Sequence, residues 1–476
     1  MSKSDGAAIL AVYPSCFYFP VDMERVEIKT SLLWLASYLH QFHNVTYADF
    51  EVEIGRPNTT VQINRFQRLV RQFLEQQDFD ILAISCWTSL SYQASMAVAR
   101  ICRELYPRKI IVVGGYHPSA RPHEFITEEK LFDYVITREG ELALKEIADH
   151  VRRAGRPAET QIVVGPTVSL DQFIGYDWGM IDDFFHRNFP GGINNFYMYL
   201  SRGCPFGCSF CMEPAKARSW RAFTPEDALR HVTETAERFN LYCVAVSDAC
   251  FGMRPGWRKE FIRRLVDCKP NFWVVFETRP EYLDPDDIKL LAGLKVEIQF
   301  GLESGSPEML RIMKKTRQPE KFLRQFSETS HLLSEHKILH RANLIFNHPG
   351  ETRKTLDETF AYIDRELELT DSYLMWAVHG FMHFPGCDID LNRPYYEETF
   401  GSRFICGDWW KENQDQYENC MRFVPSRDLE NDVDRWRRMM KERDARMRNT
   451  LAPTAFNFAA LKYFLEWRDD YRYKNR

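Results

Sequence analysis

The chain has 476 residues, 45% of them hydrophobic and 27% charged, with a formal net charge of -5. That is an ordinary globular composition, long enough for two or three domains, and its mild acidity excludes a general pull towards nucleic acid or anionic membranes. No run of roughly 18 apolar residues is present, so no segment is expected to span a bilayer, although peripheral membrane contact stays open. The apolar stretch after Met1 is too short for a signal peptide and leads straight into a strand. Twelve cysteines without disulfide-like regularity fit a reducing cytoplasm.

In chain order, Ala8–Tyr13 reads as a strand, Leu32–Leu39 as a helix and Val45–Ala48 as a second strand. A helix near Asn64–Gln76, the strand Ile81–Ser85, the helix Tyr92–Leu105 and the strands Ile110–Val113 and Tyr134–Ile136 follow. Strands alternating with helices predict a doubly wound, Rossmann-like parallel sheet over residues 1–151, with ligands bound beyond the carboxyl ends of its strands. Three of those ends carry loop chemistry: Pro14-Ser15, Ser85 to Leu90 around Cys86-Trp87-Thr88, and Gly114-Gly115-Tyr116-His117-Pro118. The glycine pair permits close backbone approach to a large ligand, and Arg138-Glu139-Gly140-Glu141 opens the last helix. Residues 152–192, with Gly155, Pro157, Gly165, Pro166 and then Gly175 to Trp178, read as a linker that packs through its aromatics.

A second alternating pattern is predicted over residues 193–395. Its strands are Phe196–Leu200, Cys243–Ser247, Trp273–Glu277, Val296–Phe300, Ala342–Phe346 and Tyr373–Val378. Six such units fit a partial, TIM-like α/β barrel whose strand ends face one cavity. After the first of them comes a C-x3-C-x2-C loop, with Cys204, Cys208 and Cys211 set among Gly203, Pro205, Gly207 and Phe210. Structural zinc wants four ligands and disulfides want an even number, whereas three clustered thiolates suit a four-iron cluster with one iron open. Gly203 and Gly207 are expected to relieve backbone strain, Pro205 to fix a turn and Phe210 to shield the cluster. A helix-like stretch, Thr224–Glu237, lies downstream of the loop.

At this loop the chain resembles the radical S-adenosylmethionine (SAM) enzymes. The resemblance implies a 4Fe-4S cluster on Cys204, Cys208 and Cys211, whose open iron chelates SAM and whose electron cleaves it to a deoxyadenosyl radical. It also implies SAM contacts at the strand ends, at Glu277, Gln299, Gly301 and Glu303. Asn347-His348-Pro349-Gly350-Glu351-Thr352 resembles the family's turn after the fifth strand, with His348 read either as a substrate contact or as a plain turn residue. Ser247-Asp248-Ala249-Cys250-Phe251 and Phe384-Pro385-Gly386-Cys387 resemble two further family turns, and Cys387 is either a substrate-handling thiol or a buried one.

The first domain resembles the cobalamin-binding domain that precedes one class of these enzymes, possible contacts being Ser85, Trp87, Thr88, Gly114, Gly115, Tyr116, Glu139 and Gly140. Many cobalamin proteins place Asp-x-His-x-x-Gly after the first strand; residues 14–25 hold no histidine. The resemblance therefore implies a cobalt without a histidine beneath it, and Trp87 is either a cover for that face or a core-edge aromatic.

The class implies methyl transfer from cobalamin to an unactivated carbon, fed by an electron donor such as flavodoxin or ferredoxin. Its hopanoid-methylase branch suggests a polycyclic isoprenoid lipid, which the 14% aromatic content and Trp409-Trp410 would suit, though the same rings serve equally as core. Peptides, tetrapyrroles and small natural products as substrates, non-methylating ring formation or oxidation, and loss of cobalamin leaving a scaffold remain open, as does a non-catalytic iron-sulfur carrier. No catalytic residue is assigned. Residues 396–476 are expected to form a small helical C-terminal region. Its Arg435–Arg448 stretch reads as a solvated helix face rather than a nucleic-acid site, and a last helix is expected near Ala455–Tyr471.

Overall fold

The computed structural model describes residues 6–18, 28–173, 175–369 and 373–450; the helix expected near Ala455–Tyr471 lies outside them. Strands β1 (Ala8–Tyr13), β2 (Asn44–Asp49), β3 (Ile81–Ser85), β4 (Ile110–Gly114), β5 (Tyr134–Arg138) and β6 (Gln161–Gly165) form one sheet, ordered β2-β1-β3-β4-β5-β6. All its pairings are parallel. The runs Ile9–Tyr13, Ile81–Ile84 and Ile110–Val113 are buried throughout, as expected of strands covered on both faces by helices. The strand order reverses between β1 and β3, which is the switch point where such sheets open a crevice.

The sheet extends beyond residue 151. Residues 161–165, in the segment expected to be a linker, pair with Tyr134–Arg138 as the edge strand β6. The pattern Gln-Ile-Val-Val-Gly is short and half exposed, so its apolar signal is weak. The same segment contributes the helix Trp178–Asn188, capped by the Asp177 carboxylate accepting from Met180 N at 3.2 Å.

The second sheet follows from β7 (Asn195–Met198). A two-stranded ribbon, β8 (Ser201–Arg202) with β9 (Arg221–Ala222), brackets the cysteine loop. Then come β10 (Cys243–Val246), β11 (Trp273–Thr278), β12 (Val296–Glu303), β13 (Leu339–Phe346) and β14 (Leu374–Gly380). Their order is β14-β13-β12-β11-β10-β7, all parallel and consecutive, which makes an open six-stranded partial barrel. The helix Pro225–Phe239 has proline in its first turn and Thr224 Oγ1 accepting from Asp227 N at 3.1 Å, and it stops where Asn240 turns left-handed.

One continuous buried cluster runs through both sheets. At the seam Trp34, from the helix Thr30–His40, lies 4.9 Å from the Tyr176 ring, 5.4 Å from Phe223 and 5.9 Å from His231. Ion pairs fasten the same seam: Glu139 with Arg221, Glu141 with Arg202 at 2.7 Å and Arg121 with Asp390 at 2.5 Å.

The described part of the C-terminal region is mainly helical, as expected. It adds a small hairpin, β15 (Arg403–Phe404) with β16 (Phe423–Val424), and the helix Arg435–Thr450. Trp409 and Trp410 are completely buried, their indole N–H groups donating to His383 O at 2.7 Å and Glu124 Oε2 at 2.8 Å. They wedge this region against both sheets and offer no surface to a ligand. Arginines of the last described helix meet acids of the chain itself, Arg435 with Asp357 at 3.0 Å and Arg443 with Asp364 at 2.7 Å. No described helix is long and apolar enough to cross a membrane.

Candidate functional site: a cysteine loop facing a cavity between two sheets

The cysteine loop is fixed by its own backbone and by neutral partners. Gly203 sits at φ 83°, and a Cβ there would stand 2.2 Å from Ser219 O, so only glycine fits. Gly207 differs from expectation: a Cβ there would meet nothing within 4 Å, so no steric contact inside the protein demands glycine. Ser209 N donates to Met313 O at 2.9 Å, and Ile389 N donates to Ser209 O at 3.1 Å. Ser209 Oγ meets His348 Nε2 at 3.1 Å, and His348 Nδ1 donates to Pro349 O at 2.7 Å. His348 is therefore a fully buried support for the loop, its pKa lowered to about 4 by burial. Phe210 packs edge-on to His348, against the small cluster that holds Phe381 and buried Cys387, and turns towards core. Burial pushes the Cys387 thiol up to about 12, as befits an inert core cysteine.

All twelve cysteines are unbridged. Cys204, Cys208 and Cys211 are each partly exposed, and Cys204 and Cys211 line a cavity of about 540 Å³. Burial raises the pKa of Cys204 and of Cys211, and the negative charge of neighbouring Cys208 adds to both. Glu213 N donates to Cys211 Sγ at 3.4 Å, the kind of contact that favours a thiolate. Among the described residues no three His, Cys, Asp or Glu side chains converge on a point that would hold a single metal ion. Three thiols on one loop fit a polynuclear cluster with an iron left for an outside ligand.

Of the strand-end residues expected to hold SAM, Glu277 lines the cavity beside Cys204 and Cys211. Its carboxyl is raised by burial and by Glu303, against the opposing pull of Lys315. Gln299 pairs with Glu277 in the β-register but donates to Glu297 Oε1 at 3.0 Å. Glu303 stands at φ 70° in a bulge and holds Lys315 Nζ at 2.9 Å, and a Cβ on Gly301 would collide with both. These three therefore stand behind Glu277, one strand away. Asp248 touches the cavity, yet it accepts from Leu200 N at 2.7 Å, Ser201 N at 2.9 Å and Ser201 Oγ at 2.6 Å. Burial, opposed by those bonds, pushes it up to about 7. It clamps the chain entering the cysteine loop.

The expected cobalamin contacts gather on the opposite wall. Trp87, Thr88, Tyr116 and Glu139 line the large cavity, and Ser85, Trp87, Gly114, Gly115, Glu139 and Gly140 line a smaller one of about 90 Å³ beneath it. The two share Ser31, Trp87, Glu139 and Arg202. Gly115 at φ 124° could not carry a Cβ, which would lie 2.3 Å from Cys86 O, while Gly114 has ordinary clearance. A flat glycine wall at the strand ends and a partly buried indole fit a bulky planar cofactor. Glu139 differs from a plain cofactor contact: it is buried, held by Arg221, and accepts from Val168 N at 2.8 Å.

Residues not singled out by sequence complete the wall. Lys29, Tyr197, Tyr199, Glu213 and Arg202 all face the large cavity, and Tyr116 from the first sheet donates to Glu213 Oε2 at 2.5 Å. Glu213 stands two residues beyond Cys211, which is the one local signal that could have found it.

Comparison with known proteins agrees with this geometry. A family model described as the radical SAM superfamily matches residues 198–363, and one described as a B12 binding domain matches residues 26–148. The cobalamin-dependent radical SAM methyltransferase TokK of Streptomyces tokunonensis is 28% identical over 192 residues, 37% of this chain and 28% of that protein. The uncharacterized methyltransferase PH0819 of Pyrococcus horikoshii is 24% identical over 354 residues, 70% of this chain and 72% of that one. The match thus spans under a third of the first relative and nearly three quarters of the second. In fold the chain is similar to the radical SAM methyltransferase TsrM of Kitasatospora setae, with a TM-score of 0.65, 16% identity, and coverage of 94% of this chain and 89% of that one. The two domains imply a 4Fe-4S cluster, SAM and cobalamin as cofactors. A B12-binding domain thus leads into a radical SAM domain around one cavity, the domain pairing of the cobalamin-binding radical SAM enzymes.

Proposed function

We propose that the protein is a methyltransferase that moves a methyl group from cobalamin to a carbon of a small-molecule substrate activated by a SAM-derived radical. One observation carries this reading. The strand-end loops of the first sheet and the cysteine loop of the second line the same cavity, with Trp87 and Tyr116 across from Cys204, Cys211 and Glu277. Bound there, the cluster and SAM supply a carbon radical and cobalamin supplies the methyl group. Similarity to TokK, described as a cobalamin-dependent methyltransferase, supports the same reaction class.

The chain's own residues have positioning tasks. Cys204, Cys208 and Cys211 hold the cluster, and Gly203, Ser209 and His348 fix their loop. Glu277 is the carboxylate placed for the ammonium or ribose of SAM, with Gln299 and Glu303 shaping the strand behind it. Gly114 and Gly115 admit the corrin and Trp87 bounds it, while Ser85, Thr88, Tyr116 and Gly140 complete its wall. The seam of aromatics and ion pairs keeps the two halves of the cavity together.

The substrate reading shifts with the fold. Trp409 and Trp410 are core, so they lend a polycyclic lipid no support. The cavity wall instead mixes Tyr197, Tyr199 and Phe384 with Glu213, Glu277 and Lys29, which suits a substrate bearing polar groups. Unbridged thiols suit the cytoplasm, where a flavodoxin or ferredoxin would supply the electron.

The test is anaerobic incubation of the reconstituted protein with cobalamin, a strong reductant and methyl-labelled SAM. Release of 5′-deoxyadenosine together with label in the cobalamin fraction is the expected result. Deoxyadenosine without cobalamin binding would remove the methyltransferase reading, and intact SAM would return the chain to the iron-sulfur carriers. Offering polar small molecules and a hopanoid lipid in parallel, and reading a gain of one methyl mass, then assigns the substrate class.

A further inference from the structure

A hydrogen bond joins the first sheet to the cysteine loop at the cavity wall. Tyr116 opens the short helix Tyr116–Ala120 after β4, and its hydroxyl donates to Glu213 Oε2 at 2.5 Å. Burial, and then Glu213 itself, raise the phenol well above its ordinary pKa, so Tyr116 stays a donor. Glu213 begins the helix Glu213–Lys216, and this single turn links two of the three cysteines. At its start Glu213 N donates to Cys211 Sγ at 3.4 Å. At its end Ala217 N donates to Glu213 O at 3.0 Å, and Ala217 O accepts from Cys204 N at 3.2 Å. A helix of one turn does not hold its own shape, so its place is set by what it packs on. Gly386 lies against both short helices, where a Cβ would stand 2.6 Å from Ala120 Cβ and 3.9 Å from Ala215 Cβ.

We propose that Tyr116 is a positioning residue for the iron-sulfur cluster: by holding the Glu213 carboxylate from across the seam, it keeps the Glu213 N–H on the Cys211 sulfur and raises the reduction potential of the cluster. The proposal rests on the reading that Cys204, Cys208 and Cys211 carry that cluster. Reduction adds one electron, taken from an external low-potential donor, and part of the added negative charge falls on the sulfurs. An N–H bonded to a ligating sulfur stabilises that charge, so the bond favours the reduced state. Tyr116 stands 97 residues before Glu213, so nothing local in the sequence marks the pair.

The experiment is an EPR-monitored redox titration of the cluster in the full-length protein reconstituted with iron and sulfide, with and without hydroxocobalamin. Tyr116→Phe is expected to keep its iron and to show a lower midpoint than wild type in both preparations. Glu213→Gln keeps an acceptor for Tyr116 and the same backbone N–H while removing the carboxylate charge, so adding Tyr116→Phe to it is expected to lower the midpoint again. An unchanged midpoint in Tyr116→Phe overturns the proposal and leaves the methyltransferase reading intact. A drop seen only with cobalamin bound also overturns it, and makes Tyr116 a cobalamin contact alone. Should Tyr116→Phe retain too little iron to titrate, the double variant against Glu213→Gln decides, and equal midpoints there overturn it. Wild-type protein that takes up no cluster removes the underlying reading, and the proposal with it.

Discussion

The two walls of the cavity are built on opposite principles. The cysteine loop is local and its hydrogen-bond partners are neutral: the three thiols lie on one loop, held by backbone hydrogen bonds to Met313 and Ile389 and by an uncharged, buried His348. The wall proposed for cobalamin is dispersed and charged, drawn from the ends of β3, β4 and β5 and from the residues just before the helix Thr30–His40, with Glu139–Arg221 and Lys29–Glu51 fixing it. A cluster brings its own bonds, so its loop needs only shape. A large planar cofactor needs a pre-assembled surface, and ion pairs across the seam supply the assembly.

The largest expected effect separates seam from cofactor contact. Glu139→Ala leaves Arg221 without its buried carboxylate and should cost about 3 to 5 kcal/mol in denaturant unfolding of the cofactor-free protein. A loss that emerges only with cobalamin bound would make Glu139 a cofactor ligand instead. Next, Gly115→Ala should cost about 2 to 4 kcal/mol and abolish cobalamin binding, because the new Cβ meets the Cys86 carbonyl at positive φ. Gly114→Ala, with its ordinary clearance, should stay within about 1 kcal/mol; equal costs at the two positions would refute the glycine wall.

On the cysteine wall, His348→Ala should cost about 1 to 3 kcal/mol by leaving Ser209 and Pro349 without their partner, and it should lower iron retention after reconstitution. Normal iron content at reduced stability would limit His348 to folding.

Proton linkage adds a finer test. Burial holds His231, His340 and His348 at a pKa of about 4 each, below the unfolded value of roughly 6.5. As pH falls below about 6.5 the unfolded chain takes up protons that the folded chain refuses, so stability drops until about pH 4. Glu351, raised to about 8 by burial, acts in the opposite direction. The folded state keeps its proton while the unfolded state gives it up near pH 4.5, so stability declines as pH rises from there to about 8. Unfolding free energies across this range should show His348→Gln reducing the loss of stability on acidification and Glu351→Gln reducing the loss as pH rises to about 8. A variant that leaves both slopes unchanged would place these groups in water. Smallest of all, Arg437→Ala at the exposed Asp434 pair should change stability by less than about 0.5 kcal/mol.

Particular residues show what was legible. Strand β1 and the helix Tyr92–Leu105 have the bounds that their apolar patterns predict, because a buried strand and an amphipathic helix write their period into sequence. The edge strand β6 was hidden, since its half-exposed pattern resembles a loop. Gly207 and the Trp409-Trp410 pair misled for a related reason: residue type indicates what a position could do, and only packing tells whether a neighbour demands it.

Sequence alone determined the alternation of strands and helices and the cysteine spacing that selects an open four-iron cluster, because hydrophobic period and ligand spacing are properties of neighbouring residues. The tertiary structure decided that Glu277 rather than Glu303 faces the cavity, that Glu139 is a latch across the seam, and that Lys29 stands beside Trp87. Those roles depend on partners distant in the chain, and on which of two nearby charges the folded protein neutralises first.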